Sequence, residues 1–287
     1  MIYRGLAMNI DGTILQSNGK LHRSVKEAVD YVQSKGVKVT LVTSRNFVFA
    51  KRIAKALKIK TMIAAHHGAF IASSLDQAFF VKRIDEKIVY DLLRLLESFY
   101  CHIRVVHEKF SVSNVPVRQN FISRAVIDPV SFSVYHHQYV ENLSEYAEDE
   151  QIHPTHIEVI FSDRDTALEA KETIQKTFFE TDLYLYNRQL IILPKGVSKL
   201  TGLLYTIDQW DISLDETVVI GSDYDDLEMI EAAGLGVAMG NAPEEVRKSA
   251  NWVTRSNQEH GVAYMIKEHF RKQQPIDFLE KISGYKK

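Results

Sequence analysis

The chain alternates between short runs that are largely apolar or β-branched and longer segments that are apolar on one side only. Residues 3–9 and the β-branched run 37–43 belong to the first kind. Such continuous runs mark strands buried on both faces of a parallel sheet. Residues 24–35 place Val25, Ala28, Val29 and Val32 at helical spacing and stop at Gly36. Residues 46–57 repeat the pattern with Phe47, Ala50, Ile53, Ala54 and Leu57, and a third short strand, 61–64, ends near Gly68. Strand, helix, strand, helix, strand is the order of a parallel sheet with crossover helices.

The rhythm breaks near residue 84. A strongly amphipathic helix is predicted over 86–99 from Ile88, Val89, Leu92, Leu93 and Leu96, followed by strand-like segments at 103–107 and 110–114. Residues 118–150 are weakly patterned and end in the acidic stretch 145–150. The segments 157–161, 165–178 and 183–193 then read as strand, helix and one or two strands. The opening rhythm returns with helix 198–207, strand 217–221, helix 224–233 closed by Gly234, strand 235–238, helix 243–249, strand 252–254 and helix 261–270. The pattern predicts an α/β domain over 1–83 and 193–287, interrupted by an α+β domain over 84–192. Open parallel sheets bind ligands at the carboxyl ends of their strands. Residues 9–11, 43–45 and 221–226 all fall at such ends, which marks them as one site.

Composition narrows the function. The chain has 287 residues, 45% hydrophobic and 25% charged, and a formal charge of −2. That balance speaks against an electrostatic nucleic-acid binder. The single cysteine, Cys101, excludes an intramolecular disulfide, and the apolar run in the N-terminal MIYRGLAM is too short for a signal peptide or a membrane span. A cytoplasmic protein without membrane contact is therefore expected.

The chemistry-bearing residues carry a resemblance. Met8-Asn9-Ile10-Asp11-Gly12-Thr13 resembles the Asp-x-Asp-Gly-Thr loop of the haloacid dehalogenase superfamily, and the further matches are to its Cof-type phosphatases. Leu41-Val42-Thr43-Ser44-Arg45 is similar to the second motif, with Ser44 in place of Gly. Lys199, rather than the nearby Lys195, is similar to the third-motif lysine. Gly221-Ser222-Asp223-Tyr224-Asp225-Asp226-Leu227-Glu228-Met229 resembles Gly-Asp-x-x-Asn-Asp with its apolar-Glu-Met tail. Ala64–Ala69, the run 236–242 ending in Gly240-Asn241-Ala242, and Ser256-Asn257-Gln258-Glu259-His260-Gly261 extend the match, with His67 for Asn and His260 for Asp.

The resemblance implies a Rossmann-like parallel-sheet core with an α+β cap, Mg²⁺ as cofactor, and a small phosphorylated metabolite or anion as ligand. It implies that Asn9 stands at the nucleophile position and Asp11 at the acid/base position. Thr43 and Lys199 are then phosphoryl and charge contacts. Gly12, Thr13, Ser44, Arg45, Asp225 and Asn241 become candidate ligand contacts, and Asp11, Ser222 and Asp226 the candidate metal positions. Plainer readings exist for each: Asp before Gly is a common turn, Thr suits a strand, and Arg45 or Lys199 is equally a solvated cation.

Two departures bear on activity. A neutral amide at position 9 is a poor nucleophile, and Ser222 replaces the carboxylate expected on the same metal. Asp223 or Asp225 compensates only if the turn aims it at the ion. Asn9 alone would fit an engineered trapping substitution, but the further departures at Ser44, His67, Ser222, Asp225 and His260 fit natural drift. The expectation is a catalytically impaired binding or regulatory protein, with a protein partner left open. The alternative is an active phosphatase with altered metal ligation. The pairs His66-His67, His136-His137 and His153-x-x-His156 lack the partners of a metal site and are expected to be surface or loop residues. Tyr135, Tyr139 and Tyr146 fit an interior or a surface equally.

Overall fold

The computed structural model describes residues 2–115 and 136–284. In chain order the elements are β1 (Gly5–Met8), α1 (Arg23–Ser34), β2 (Lys38–Leu41), α2 (Phe47–Ala56), β3 (Ile63–Ala65), β4 (Phe70–Ser74) and β5 (Gln77–Val81). Then come α3 (Glu86–Glu97), β6 (Cys101–Val106), β7 (Phe110–Asn114), β8 (His136–Val140), α4 (Leu143–Asp149), β9 (His156–Phe161), α5 (Arg164–Thr177), β10 (Thr181–Tyr186) and β11 (Gln189–Pro194). The chain closes with α6 (Lys199–Asp208), β12 (Thr217–Gly221), α7 (Leu227–Ala232), β13 (Leu235–Ala238), α8 (Glu244–Ser249), β14 (Trp252–Val253), α9 (Gly261–Phe270) and α10 (Ile276–Gly284). These elements form two compact units, one from residues 1–77 and 198–287, the other from 78–197.

The first unit is the α/β fold that the apolar runs predict. Its sheet has the order β14-β13-β12-β1-β2, and every pairing is parallel. All residues of β1 and β12 are buried, as a sheet covered on both faces requires. The helical stripe of α1 points inward as spaced, with Val25, Ala28, Val29 and Val32 buried. His22 caps that helix by accepting from the Ser24 amide, and Asn46 caps α2 by accepting from Phe49. Ser198 and Thr201 form a reciprocal capping box that starts α6 at Lys199.

The second unit is α+β. Its sheet runs β10-β11-β9-β6-β7-β8, antiparallel except for the β7–β8 pair. Ile103 and Val105 of β6 and Ile157, Val159 and Phe161 of β9 join Leu92, Leu93 and Leu96 of α3 in one core. The predicted stretch 183–193 resolves into a hairpin, since Tyr186 pairs with Gln189 across a two-residue turn led by Asn187 at φ 57°.

Several elements depart from the pattern. The helix expected over 224–233 is one tight turn, Tyr224–Asp226, followed by α7, because Asp223 and Asp226 cap that turn with their own side chains. Strands β4, β5 and β8 and helices α4 and α10 had no clear periodicity. Part of the weakly patterned stretch, together with Tyr135, lies outside the described residues. Tyr139 is exposed and Tyr146 packs on the second unit's core. The surface expectation for the histidines fails at His66, His67 and His156, which are buried. His66 is held inside because its Nε2 accepts from the Phe47 amide at 3.1 Å. No helix among the described residues is long and apolar enough to cross a membrane.

Two expected outcomes follow from the packing. Gly68 has φ +93°, and a Cβ there would stand 2.2 Å from the Ser198 carbonyl. Gly68→Ala should cost more than about 1 kcal/mol, a loss of a few degrees in Tm read by thermal unfolding. In the second unit, burial and the nearby Arg104 guanidinium push the His137 imidazole from 6.5 to about 4. Its ring is neutral in the folded unit where the unfolded chain already takes up a proton. Stability should therefore be level above pH 6.5 and fall as pH drops toward about 4. His137→Gln should flatten that slope in denaturant titrations at stepped pH.

Candidate functional site

Register places the site. Met8 of β1 pairs with Ile220 of β12 on one side and with Leu41 of β2 on the other. The chain that follows each strand, Asn9, Ser222 and Val42-Thr43, therefore leaves the sheet side by side.

The turn after β1 is set by Asn9 and Gly12. The Asn9 side-chain oxygen accepts from the Ile10 amide at 2.7 Å, and Gly12 takes φ +64°. A Cβ on Gly12 would lie 2.7 Å from Ser222 Oγ, so the close approach of the two loops requires glycine. Because the Asn9 oxygen is committed to Ile10, its Nδ2 points the other way and donates to Asp226 Oδ2 at 2.9 Å.

Asp226 is fully buried. Its Oδ2 also accepts from the amides of Ser222 at 2.8 Å and Asp223 at 3.1 Å, while Oδ1 takes the Lys199 ammonium at 2.8 Å. Lys199 reaches Asp225 Oδ2 at the same distance, 2.8 Å. Burial alone would lower the Lys199 pKa, but the Asp225 and Asp226 carboxylates outweigh it and hold the ammonium well above its usual range. Burial pushes the Asp226 carboxyl up, and the lysine opposes that shift. With four donors on its two oxygens, the group has the geometry of an ion-paired carboxylate.

Around this centre Ser222 Oγ donates to the Asp11 carbonyl at 3.0 Å and accepts from Thr13 Oγ1 at 3.0 Å. The Asp11 carboxylate faces outward and is gripped by the Arg45 fork, Nε to Oδ2 at 2.7 Å and Nη2 to Oδ1 at 2.8 Å. Thr43 is buried, and its hydroxyl accepts from the Arg45 amide at 3.1 Å. Ser44 sits half-buried between them. Asn241 donates to the Gly12 carbonyl at 2.9 Å and accepts from the Asn257 amide at 2.9 Å. Beside the Asp11–Arg45 pair opens a cleft of about 360 Å³, lined in part by Gln16, Asn241 and Asn257.

The structure thus brings all of the singled-out residues into one region, most of them in one hydrogen-bonded network. Sequence reasoning left out Asn257, which also donates to the Leu15 carbonyl at 2.8 Å. Its place in the closing motif was the available signal. His67, a departure from the family pattern, joins the site as well, its Nδ1 3.5 Å from Asp225 Oδ2. Asp223 turns back to accept from the Tyr224 amide at 2.7 Å, and Asp225 faces Lys199, so neither carboxylate is aimed as a replacement metal ligand.

Mg²⁺ requires near-octahedral oxygen donors and usually one or two carboxylates. Here the group aimed inward at position 9 is an N–H, the Ser222 hydroxyl is engaged on both sides, and Asp226 is saturated by donors. This donor set does not fit the ion.

Comparison with known proteins agrees with the geometry of the fold. The haloacid dehalogenase-like hydrolase family model matches residues 6–266. Stress response protein YhaX of Bacillus subtilis (strain 168) is 48% identical over 278 residues, covering 96% of each chain. Phosphatase YwpJ of the same organism is 30% identical over 284 residues, covering 91% of this chain and 98% of its own. A solved haloacid dehalogenase-like hydrolase from B. subtilis superposes with a TM-score of 0.80 at 26% identity, over 93% of this chain and 99% of that one.

Removing Lys199 should expose the dependence of this network on it. Lys199→Met leaves Asp225 and Asp226 without their cation in a buried site, and should cost about 3–5 kcal/mol in denaturant unfolding. Lys199→Arg, which keeps the charge, should lose less.

Proposed function

This chain belongs to the haloacid dehalogenase-like hydrolase family, and we propose that it binds a small phosphorylated metabolite or related anion without hydrolysing it by the family's aspartyl route. The observation that carries this reading is the orientation of Asn9. Nucleophilic catalysis at this place needs a carboxylate oxygen with a lone pair aimed at phosphorus. The Asn9 oxygen is spent on the Ile10 amide, and what faces inward is a donor.

The same arrangement suits an anion. The Thr43 hydroxyl accepts from Arg45 and keeps its own proton to donate. Lys199 is spent on Asp225 and Asp226 beneath, so the cation offered to a ligand is the Arg45 guanidinium at the mouth, where an incoming phosphoryl group would compete with Asp11 for its fork. The role is then binding, sensing or regulation of a partner, in a protein that keeps the scaffold and the anion contacts of a phosphatase.

A second reading is an active phosphoric monoester hydrolase with altered ligation, supported by the family relationship to Phosphatase YwpJ. It requires Asp11 or an activated water to take over the attack, and Asp11 is held by Arg45 on the outer side.

The two readings separate in one set of assays. With p-nitrophenyl phosphate, sugar phosphates and nucleotides, turnover should stay at background. Calorimetry with inorganic phosphate and sugar phosphates should show saturable binding, weakened about tenfold or more by Thr43→Val or Arg45→Ala, in line with the loss of one charge-assisted hydrogen bond. Turnover that follows the protein through independent purifications would establish the hydrolase instead.

A further inference from the structure

We propose that the Lys199 ammonium, clamped between Asp225 and Asp226, is the permanent internal cation of this site, so that the folded protein is complete without a divalent metal and indifferent to one. The inference goes beyond ligand binding and does not depend on it, because it concerns only which cation pairs with the buried Asp226 carboxylate.

The charges support it first. The family pattern would place carboxylates at positions 9 and 222 around a dication. This chain has Asn9 and Ser222, so two negative charges are absent, equal in size to the charge of the ion they would hold. What remains buried is Asp226, with Asp225 beside it, and both meet the Lys199 ammonium at 2.8 Å.

Polarity supports it independently. An Asn side chain is ambiguous only when either end fits either partner. Here Ile10 N–H lies 2.7 Å from Oδ1 and requires an acceptor, which fixes Nδ2 on Asp226. The atom at this position nearest the centre is therefore a proton donor, which repels a cation. Asp226 Oδ2 has three donors within 3.1 Å, so coordinating an ion there means breaking its hydrogen bonds, those to the buried Asn9 side chain and Ser222 amide among them. The buried donors would be left unsatisfied, at the cost of their desolvation. Thr13, Ser222 and the Asp11 carbonyl form a chain of hydrogen bonds where the other oxygens of a coordination shell would be needed.

Lys199 itself is 2% exposed and starts α6 through the Ser198–Thr201 capping box. Its position is set by backbone, not by a ligand. The cation is thus delivered by the fold.

The test uses the full chain, freed of metal with EDTA. Thermal unfolding of the natural protein should give the same Tm with and without excess Mg²⁺, since a ligand that binds only the folded state raises Tm with concentration. The Asn9→Asp/Ser222→Asp variant restores two carboxylates without a cation. It should unfold at lower temperature in EDTA and recover on adding Mg²⁺.

A Mg²⁺-dependent rise in the natural protein that Asp226→Asn abolishes would overturn the proposal. So would a double variant as stable in EDTA as the natural protein. Should the double variant not fold, Mn²⁺ titration of the natural protein by water-proton relaxation decides alone. No saturable site, or one that Asp226→Asn leaves untouched, agrees with an internal cation, and a saturable site lost in Asp226→Asn contradicts it. Phosphatase turnover in EDTA would defeat the binding reading above and leave this one standing.

Discussion

One buried carboxylate organises the first unit. Asp226 is inaccessible to water, and an ionised group there is tolerable only if every lone pair is met. Its donors come from three separate parts of the chain: Asn9 after β1, Lys199 at the start of α6, and the Ser222 and Asp223 amides after β12. Each of those segments must arrive in register for the charge to be satisfied. The packing is tight enough that a Cβ on Gly221 would lie 2.5 Å from the Asp226 Cβ. The position of the lysine, the direction of the asparagine and the path of the turn are consequences of the same group.

That constraint makes sense of departures that look scattered along the chain. Asn9 and Ser222 are 213 positions apart in number, yet both are linked to Asp11: Ser222 by its hydroxyl to the Asp11 carbonyl at 3.0 Å, Asn9 by a longer contact to the same oxygen at 3.4 Å. His67 and Asp225 each stand where the family pattern has Asn, and they lie 3.5 Å apart. His260 stands for Asp, and its ring stacks on His22 at 3.8 Å. The departures at positions 67 and 225 thus touch one another, while the one at 260 meets His22. In the same region the Arg45 fork closes on Asp11, so the outward-facing acid is matched by a cation as well.

The second unit follows ordinary sheet logic. On β6, Ile103 and Val105 enter the core while His102 and Arg104 take the opposite face, and β9 does the same with Ile157 and Val159 against His156 and Glu158. Arg104 and Glu158 are paired across those strands. Alternation of this kind was readable at 103–107 and 157–161. It was not readable in β8, where the residues His136–Val140 carry polar side chains on both faces.

The sequence by itself determined the α/β and α+β character of the two units, the helical stripes of α1, α2 and α3, and the residues at the carboxyl ends of the central strands. These depend on local periodicity and on turn residues, which act over a few positions. It also identified which chemical groups are present, Asn9 for a carboxylate and Ser222 for another. Only the tertiary structure decided how those groups are used. That Asn9 presents nitrogen, that Asp225 serves Lys199 while Asp223 caps its own turn, and that His66 and His67 are interior depend on partners brought together from distant parts of the chain. A hydrogen bond's direction is set by which neighbour competes for each atom, and that competition exists only once the strands are in register.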